Sequence, residues 1–521
     1  MVLDLLMKHV PPSPQRSIRF FLSYLPGFMA SSSFFWCIVV LLIVQASWIA
    51  LTSHYPMAFD EDFHLGIIKI YAHHLNPFLS GQPAGADMFG AVACDPSYLY
   101  HYIFSFPYRL VHSFTNNETT IVIMLRFINI GLFAGGLVIF KKLLGRLKPP
   151  AAVTNACLLF FVLIPVVPQL AGQVNYDNLF IPAIAADLLL TLKFTDRLRA
   201  DKRIDLGSFL LMMSAWLLTS LVKYATLPVF AASMLYVGVQ LYRAYGINTG
   251  SWRGALCDAY GTIKHLKTAM LLILTIVCVG LFSQRYVVNL VHYHEPIPDC
   301  SKVLSINQCR VYGPWIRDYD FSINKIDEAH NPLVFTGDWL YGMWLRLYFT
   351  VDGPATMYQS RGPLPVPALS AIAVGIAGLV ATLITFRKLL RSYQASTIIL
   401  FVGVSMVYIA TLWFDEYEAF VRTGQPVAIN GRYLLPFLPL LLVIAALASR
   451  ELLRKHPRAA YTLGGLILLS QLWGGGALTY ILRSNDAWYR PNHVVRNANH
   501  AVKYILGPVT PGYDQPAEFL K

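Results

Sequence analysis

Apolar residues in this chain run together instead of recurring in narrow stripes. Long apolar stretches lie at 33–53, 121–140, 151–169, 176–193, 206–222, 224–241, 268–288, 366–386, 396–413, 433–449 and 460–482. A helix crosses the hydrocarbon core of a bilayer with about 20 apolar residues, whereas a membrane barrel strand needs only about 10, with alternating polarity. Lipid offers no partners to backbone N–H and C=O groups, so spanning segments must be helices or closed barrels. The stretches are too long and too continuously apolar for barrel strands. They predict an all-α polytopic membrane protein with about 11 transmembrane helices. The segments 206–222 and 224–241 are short and separated only by Lys223 and its neighbours.

Composition agrees. The chain is 56% hydrophobic and 13% charged, against about 25% charged in a typical soluble domain. Its net charge of +13 would fit a nucleic-acid binder, but the distribution of the charge excludes that class. Basic clusters precede the first stretch (Lys8, Arg16, Arg19) and follow the second (Lys141, Lys142, Arg146, Lys148). Others follow the fourth (Arg197, Arg199, Lys202, Arg203), precede the seventh (Arg253, Lys264, Lys267), and follow the eighth (Arg387, Lys388, Arg391) and tenth (Arg450, Arg454, Lys455, Arg458). With 11 spans all of these fall on one side, which by the positive-inside rule is the cytoplasm. The expected layout is a cytoplasmic lead at 1–32, a bundle at 33–482 with outer loops at 54–120 and 289–365, and an outer tail at 483–521. The first stretch reads as a retained helix, being long, distant from the N-terminus and followed by no small-residue cleavage site.

The elaborated loops then lie outside a plasma or inner membrane, and they hold the candidate chemistry. "FDEDFH" puts Asp60, Glu61, Asp62 and His64 just beyond the first stretch. Asp60 is placed to cap a helix beginning at Glu61, with Phe63, Ile67, Ile70 and Tyr71 on an interfacial face. A carboxylate at a partly dry membrane boundary also suits general-base work. The Asp-x-x-x-His spacing distantly resembles a zinc motif but lacks its first His and a third ligand; a divalent cation beside the acids is compatible with the sequence. "GQVNYDNLF" places Asn175, Asp177 and Asn178 at an outer turn, where they either serve the turn itself or face the same cavity. Lys223, Arg432 (beside Tyr433) and Arg126 lie at or near the outer boundary, where they either snorkel to headgroups or bind an anionic lipid phosphate. Cys300 and Cys309 are nine residues apart in the second outer loop, and a disulfide between them or two free thiols both fit an extracytoplasmic setting. Cys37, Cys157 and Cys278 read as small core residues.

Taken in order, Asp-Glu-x-x-His opening the first outer loop, "NYDNL" after the third span, Lys before "YATLP", and "GRYLLPFLPL" near the end resemble the bacterial integral membrane glycosyltransferases of the GT-C superfamily, which includes protein mannosyltransferases and the lipid A aminoarabinose transferase. The resemblance covers about 54–450. It implies transfer of a sugar from a polyprenyl-phosphate donor to a hydroxyl acceptor (a glycan, lipid or protein) on the outer face, with inversion. Asp60 and Glu61 take the Asp-Glu positions and His64 the His position, with Asp62 extra, so which of the three carboxylates acts stays open. Lys223 and Arg432, with Tyr433, would meet the carrier phosphate. The chain has no stretch matching the large soluble outer domain of oligosaccharyltransferases, which points to a small or lipid-linked acceptor. Two other classes remain. A flippase of lipid-linked sugars should show repeated halves and broken helices at mid-membrane, and no internal repeat is evident. A non-catalytic scaffold would not need acids and bases converging on one face.

Overall fold

The computed structural model describes residues 26–57, 60–247, 249–325, 331–348, 366–484 and 486–510. Among these the chain is helical, with one isolated β-bridge between Ser53 and Tyr489. Most of the sequence-predicted cytoplasmic lead and the end of the tail fall outside the described residues.

Helix α1 (Ser32–Thr52) is capped by Ser31, whose hydroxyl accepts from Phe34 N at 3.1 Å. The segment after α1 folds into α2 (Glu61–Ala72) and α3 (Leu99–His112), packed on each other. Then follow α4 (Glu118–Leu144), capped by Asn117, and α5 (Ala151–Val162), which stops short of Pro165. Next come the short α6 (Val166–Ala171), α7 (Asp177–Asp201) and α8 (Leu206–Val222), the last capped by Asp205. Lys223 is extended, and α9 (Leu227–Tyr245) restarts with a proline in its first turn, where the missing N–H leaves no bond unmade. Later come α10 (Thr249–Gly261), α11 (Leu266–Tyr293, with a π turn at Ser283–Val287), α12 (Gly313–Ile323) and α13 (Pro332–Tyr348). The chain ends with α14 (Val366–Ser392), α15 (Ala395–Thr423), α16 (Leu438–Leu452), the pair α17 (Pro457–Leu472) and α18 (Ala477–Arg483), and α19 (His493–Leu506).

Among the described residues, seven helical segments are long and apolar enough to cross a membrane, and eight if the bent pair α17–α18 counts as one span. The other predicted stretches are helical but shorter. The stretch 151–169 is split at Leu163–Pro165 into α5 and α6, α8 has 17 residues, and 433–449 begins as a 3₁₀ turn before the 15 residues of α16. Of the 11 predicted stretches, seven or eight are thus long enough among the described residues; a proline ends α5 early and a 3₁₀ turn shortens the start of α16. One core runs through α1, α4, α5, α7, α15 and α16. Helix α4 packs closely along α7, where Gly136 faces Pro182; a Cβ at Gly136 would stand 3.0 Å from the proline Cβ. The 172–176 turn presses on α1 so closely that a Cβ at Gly172 would lie 2.8 Å from Ala46 O.

The tail folds back onto α1. His54 N donates to Trp488 O at 2.7 Å, Arg490 N donates to Thr52 O at 3.0 Å, and Trp48 Nε1 donates to Asn499 Oδ1 at 3.1 Å. Cys300 and Cys309 form a disulfide with Cα atoms 5.9 Å apart.

A fully buried ion pair joins α2 to α4. Glu61 and Arg126 are 0% and 1% exposed. Arg126 Nε donates to Glu61 Oε1 at 2.8 Å and Nη2 to Oε2 at 2.6 Å. The other guanidinium hydrogens go to the carbonyls of Ala50 (3.0 Å), Ser53 (3.2 Å) and His54 (3.3 Å). Glu61 also accepts from Met57 N at 2.8 Å and Val174 N at 3.0 Å. All five arginine donors and both carboxylate oxygens are thus engaged, tying together α1, α2, α4 and the 172–176 turn. Removing one partner strands a buried charge, which costs about 3–5 kcal/mol. Glu61→Gln should lower stability by that order in a detergent unfolding assay, and the double variant Glu61→Gln/Arg126→Gln should lose less than Arg126→Gln and Glu61→Gln summed.

Candidate functional site

Beside the Glu61–Arg126 pair, four further elements converge: the N-terminus of α2, the start of α7, the break at Lys223, and the turn before α16. The "INGRYLL" segment forms a 3₁₀ turn, Gly431–Leu434, in which Asn430 Oδ1 accepts from Arg432 N at 3.1 Å. Gly431 lies against the backbone of α13 at Met343, where a Cβ has no room. This close approach seats Arg432, 4% exposed, under the rim of the bundle.

Arg432 Nη2 donates to Asp60 Oδ2 at 2.9 Å, and its Nε lies 3.7 Å from Asp177 Oδ2. Lys223 Nζ donates to Asp177 Oδ1 at 2.7 Å. Lys223 is also buried, its ammonium 4.5 Å from the Tyr176 ring centre, 4.7 Å from Tyr433 and 5.3 Å from Phe180. A cation among ring faces is held by their quadrupoles without a second counter-ion. Among the described residues the cluster has two carboxylates and two cations, and Asp60 is its most exposed member, with a side chain 60% exposed.

Asp60 does not do what the sequence pattern predicts. It sits at the N-cap position of α2 but makes no side-chain cap hydrogen bond, and its backbone is left-handed (φ 67°, ψ 34°). Helix N-caps ordinarily take extended angles, and a side-chain-bearing residue in the left-handed region is strained, Asp and Asn less than others. The conformation aims the carboxylate at Arg432 instead of the helix N–H groups.

The three consecutive acids thus face three ways, as a roughly 100° turn per residue requires at a helix start. Glu61 points inward and is saturated by its four donors. Asp62 is exposed on the opposite face, lining an open groove of about 420 Å³ with Tyr55, Lys69, His73 and Phe89. Of the three, Asp60 alone meets Arg432. The predicted interfacial face is also different: Ile67 and Tyr71 are buried against Tyr98 and its neighbours instead of lying open to lipid.

His64, one turn into α2, is buried and shares a 2.9 Å hydrogen bond between its Nδ1 and His101 Nε2, while Tyr176 stands edge-on to its ring with centres 4.5 Å apart. Burial, reinforced by His101, Arg432 and Lys223, holds the His64 imidazole well below its usual range, and burial pushes His101 down to about 3. Both rings are therefore neutral at physiological pH. In the turn before α7, Asn175 Oδ1 accepts from Asp177 N at 2.9 Å, and Asn178 Nδ2 donates to the carbonyls of Leu170 (2.9 Å) and Gln173 (3.0 Å). These asparagines serve the turn, and Asp177 faces the cations. Among the described residues no group of three His, Cys, Asp or Glu side chains is arranged to hold a metal; Asp60 and His64 turn to different partners, so the Asp-x-x-x-His spacing does not become a chelate.

Sequence reasoning did not single out Tyr176, and it marked Asp95 and His101 only as part of an aromatic and polar segment, "DPSYLYHY", suited to an interfacial belt or to stacking on a sugar. Asp95 Oδ1 accepts from Ser97 N at 2.8 Å, and burial raises its carboxyl above the ordinary range. Ser97 Oγ in turn accepts from Tyr224 N at 3.2 Å, tying this loop to the residue after Lys223. The available signal was a polar residue repeatedly interrupting an aromatic outer segment, "CDPSYLYHY".

No family model matches the chain, and no curated protein does. Among solved structures it is similar to the oligosaccharyltransferase of Archaeoglobus fulgidus tethered to an acceptor peptide containing the NVT sequon, at 12% identity and a TM-score of 0.44 over 87% of this chain and 55% of that one. It is similar to the same degree to the A. fulgidus oligosaccharyltransferase AglB in complex with an inhibitory peptide and a dolichol-phosphate, at 12% identity and a TM-score of 0.44 over 88% and 56%. The chain spans just over half the length of these proteins.

The histidine pair gives a pH prediction. The unfolded chain binds protons near pH 6.5, whereas folded His101 does so only near 3, so in that window the unfolded state holds more protons and acid destabilises the fold. At pH 5 the loss is about 2 kcal/mol from His101. Melting temperature in detergent should fall as pH drops below about 6.5, and less steeply in His101→Gln.

Proposed function

We propose that the protein is a glycosyltransferase that moves a sugar from a polyprenyl-phosphate donor to a hydroxyl acceptor at the outer face of the membrane, with inversion. The observation that carries this reading is the ordered line Asp60–Arg432–Asp177–Lys223: one accessible carboxylate at the rim, with two buried cations behind it. The motif resemblance to GT-C enzymes adds to it.

In this reading the carrier phosphate lies against Arg432, whose planar fork suits phosphate oxygens, with Lys223 behind it. Asp177 and the surrounding rings hold Lys223 in place. Asp60 takes the proton of the acceptor hydroxyl, whose oxygen attacks the anomeric carbon. The bond from that carbon to the phosphate oxygen breaks, and Arg432 and Lys223 stabilise the charge developing on the leaving phosphate. A phosphate leaves without protonation, so no separate acid is required. Neutral His64, with Nε2 buried and making no hydrogen bond among the described residues, is suited to accept a hydrogen bond from bound substrate. We assign Glu61 to architecture rather than catalysis, because its oxygens are saturated, and Asp62 to the outer groove. Asn175 holds the turn that presents Asp177, and Tyr433 walls the cation site.

A strain lacking the protein should accumulate a polyprenyl-phosphate sugar, seen by mass spectrometry of its lipids. Wild-type protein should clear it. Asp60→Asn, present in the membrane at wild-type level, should turn over at least about 100-fold more slowly, as expected for loss of a general base, and leave the lipid accumulated. Full clearance by Asp60→Asn would sink the assignment.

A further inference from the structure

We infer that the Asp60 carboxylate and the donor phosphate compete for Arg432, so that donor binding itself releases the base. This rests on the proposed reading of the site and adds an order of events to it.

The first argument is charge. Asp60 and Asp177 balance Arg432 and Lys223, and both cations are nine-tenths or more buried. A phosphate added to this cluster would leave excess negative charge where water is sparse, which is costly. One carboxylate must therefore give way. Asp177 is buried, bonded to Lys223 at 2.7 Å and backed by the start of α7. Asp60 is 60% exposed and reaches Arg432 from the solvent side. Asp60 is the one that can leave.

The second argument is the backbone. The left-handed angles of Asp60 are unusual for a helix N-cap. A released Asp60 has a ready alternative: extended angles, with its side chain accepting from the N–H groups of the first turn of α2. The residue thus has two local arrangements, one bonded to Arg432 and one facing the rim, and an anion at Arg432 favours the second by removing the partner of the first.

The third is chemical sense. While Asp60 Oδ2 accepts from Arg432, that oxygen is not open to an acceptor hydroxyl. Displacement by phosphate makes the carboxylate accessible only when a donor is in place, so the donor binds first and the acceptor is deprotonated beside a loaded site.

The test is binding rather than turnover, with the full chain in lipid nanodiscs, farnesyl phosphate as probe and farnesol as the uncharged control. If Asp60 competes with the phosphate, removing its charge must tighten phosphate binding, although the residue is catalytic. Asp60→Asn and Asp60→Gly should each bind farnesyl phosphate about 10- to 100-fold more tightly than wild type, the scale of one charge-assisted hydrogen bond, with farnesol unchanged. Glycine also accepts the left-handed backbone without strain, so it separates charge from conformation. Equal or weaker phosphate binding by both folded variants would overturn the competition while leaving the phosphate site standing. Failure of wild type and both variants to prefer farnesyl phosphate over farnesol would overturn the phosphate reading as well. Loss of the folded state in both would also refute the inference, since a displaceable side chain cannot be needed for folding.

Discussion

The end of the bundle that holds the polar cluster hangs on one buried ion pair. Arg126 stands a little over two turns into α4, yet it fixes the C-terminal end of α1 through three carbonyls and the start of α2 through Glu61. Glu61 then holds the 172–176 turn through Val174 N. A pair this dry is costly to desolvate and is not in itself evidence of stability. Its geometric effect is the important one. With every donor and both oxygens satisfied, it admits one arrangement of four chain segments. Asp60 precedes Glu61 and Asp177 follows Val174 by three residues, so the polar cluster inherits its positions from the pair.

The same logic sorts the basic residues. Arg126 has its charge consumed internally. Lys223 is held by one carboxylate and three rings, which fixes the ammonium without surrounding it with anions. Arg432 faces outward, towards a carboxylate that water also reaches. Three cations at a similar level in the bundle therefore differ in how readily each could meet a new anion, and that ranking follows from the burial of their partners more than from their own.

Much of this was legible in the sequence and some was not. The apolar stretches mark helices because 18 or more continuous apolar residues have few other stable fates, but Pro165 and the turn at Gly431 shorten segments that hydropathy alone would extend. The outer polar motifs do come together, since the Lys223 and "GRYLL" turns and "NYDN" meet at one end of the bundle. The division of labour among Asp60, Glu61 and Asp62 was not readable. It depends on pairings 65 and 372 residues apart in sequence, and on a backbone angle at Asp60 that overrides the capping preference of aspartate. Arg126 does neither of the two things the sequence offered it, snorkelling or binding a lipid phosphate, because position in the chain says nothing about which carboxylate waits across the fold. The asparagines of the turn were readable as turn residues from local chemistry alone.

The tail's return to α1 has a consequence for how the protein is made. Ala50 O accepts from Arg126 and also from Arg490 Nη2, at 3.1 Å, and the bridge at Ser53 and Tyr489 closes beside it. One carbonyl of the first helix is thus shared by a partner 76 residues away and one 440 away. Segments generally dock in the order in which the ribosome delivers them. That end of the first helix therefore waits for a segment 440 residues further along before this contact is made. A chain stopped between Arg432 and Arg490 would carry Asp60, Asp177, Lys223 and Arg432 without this contact on the first helix.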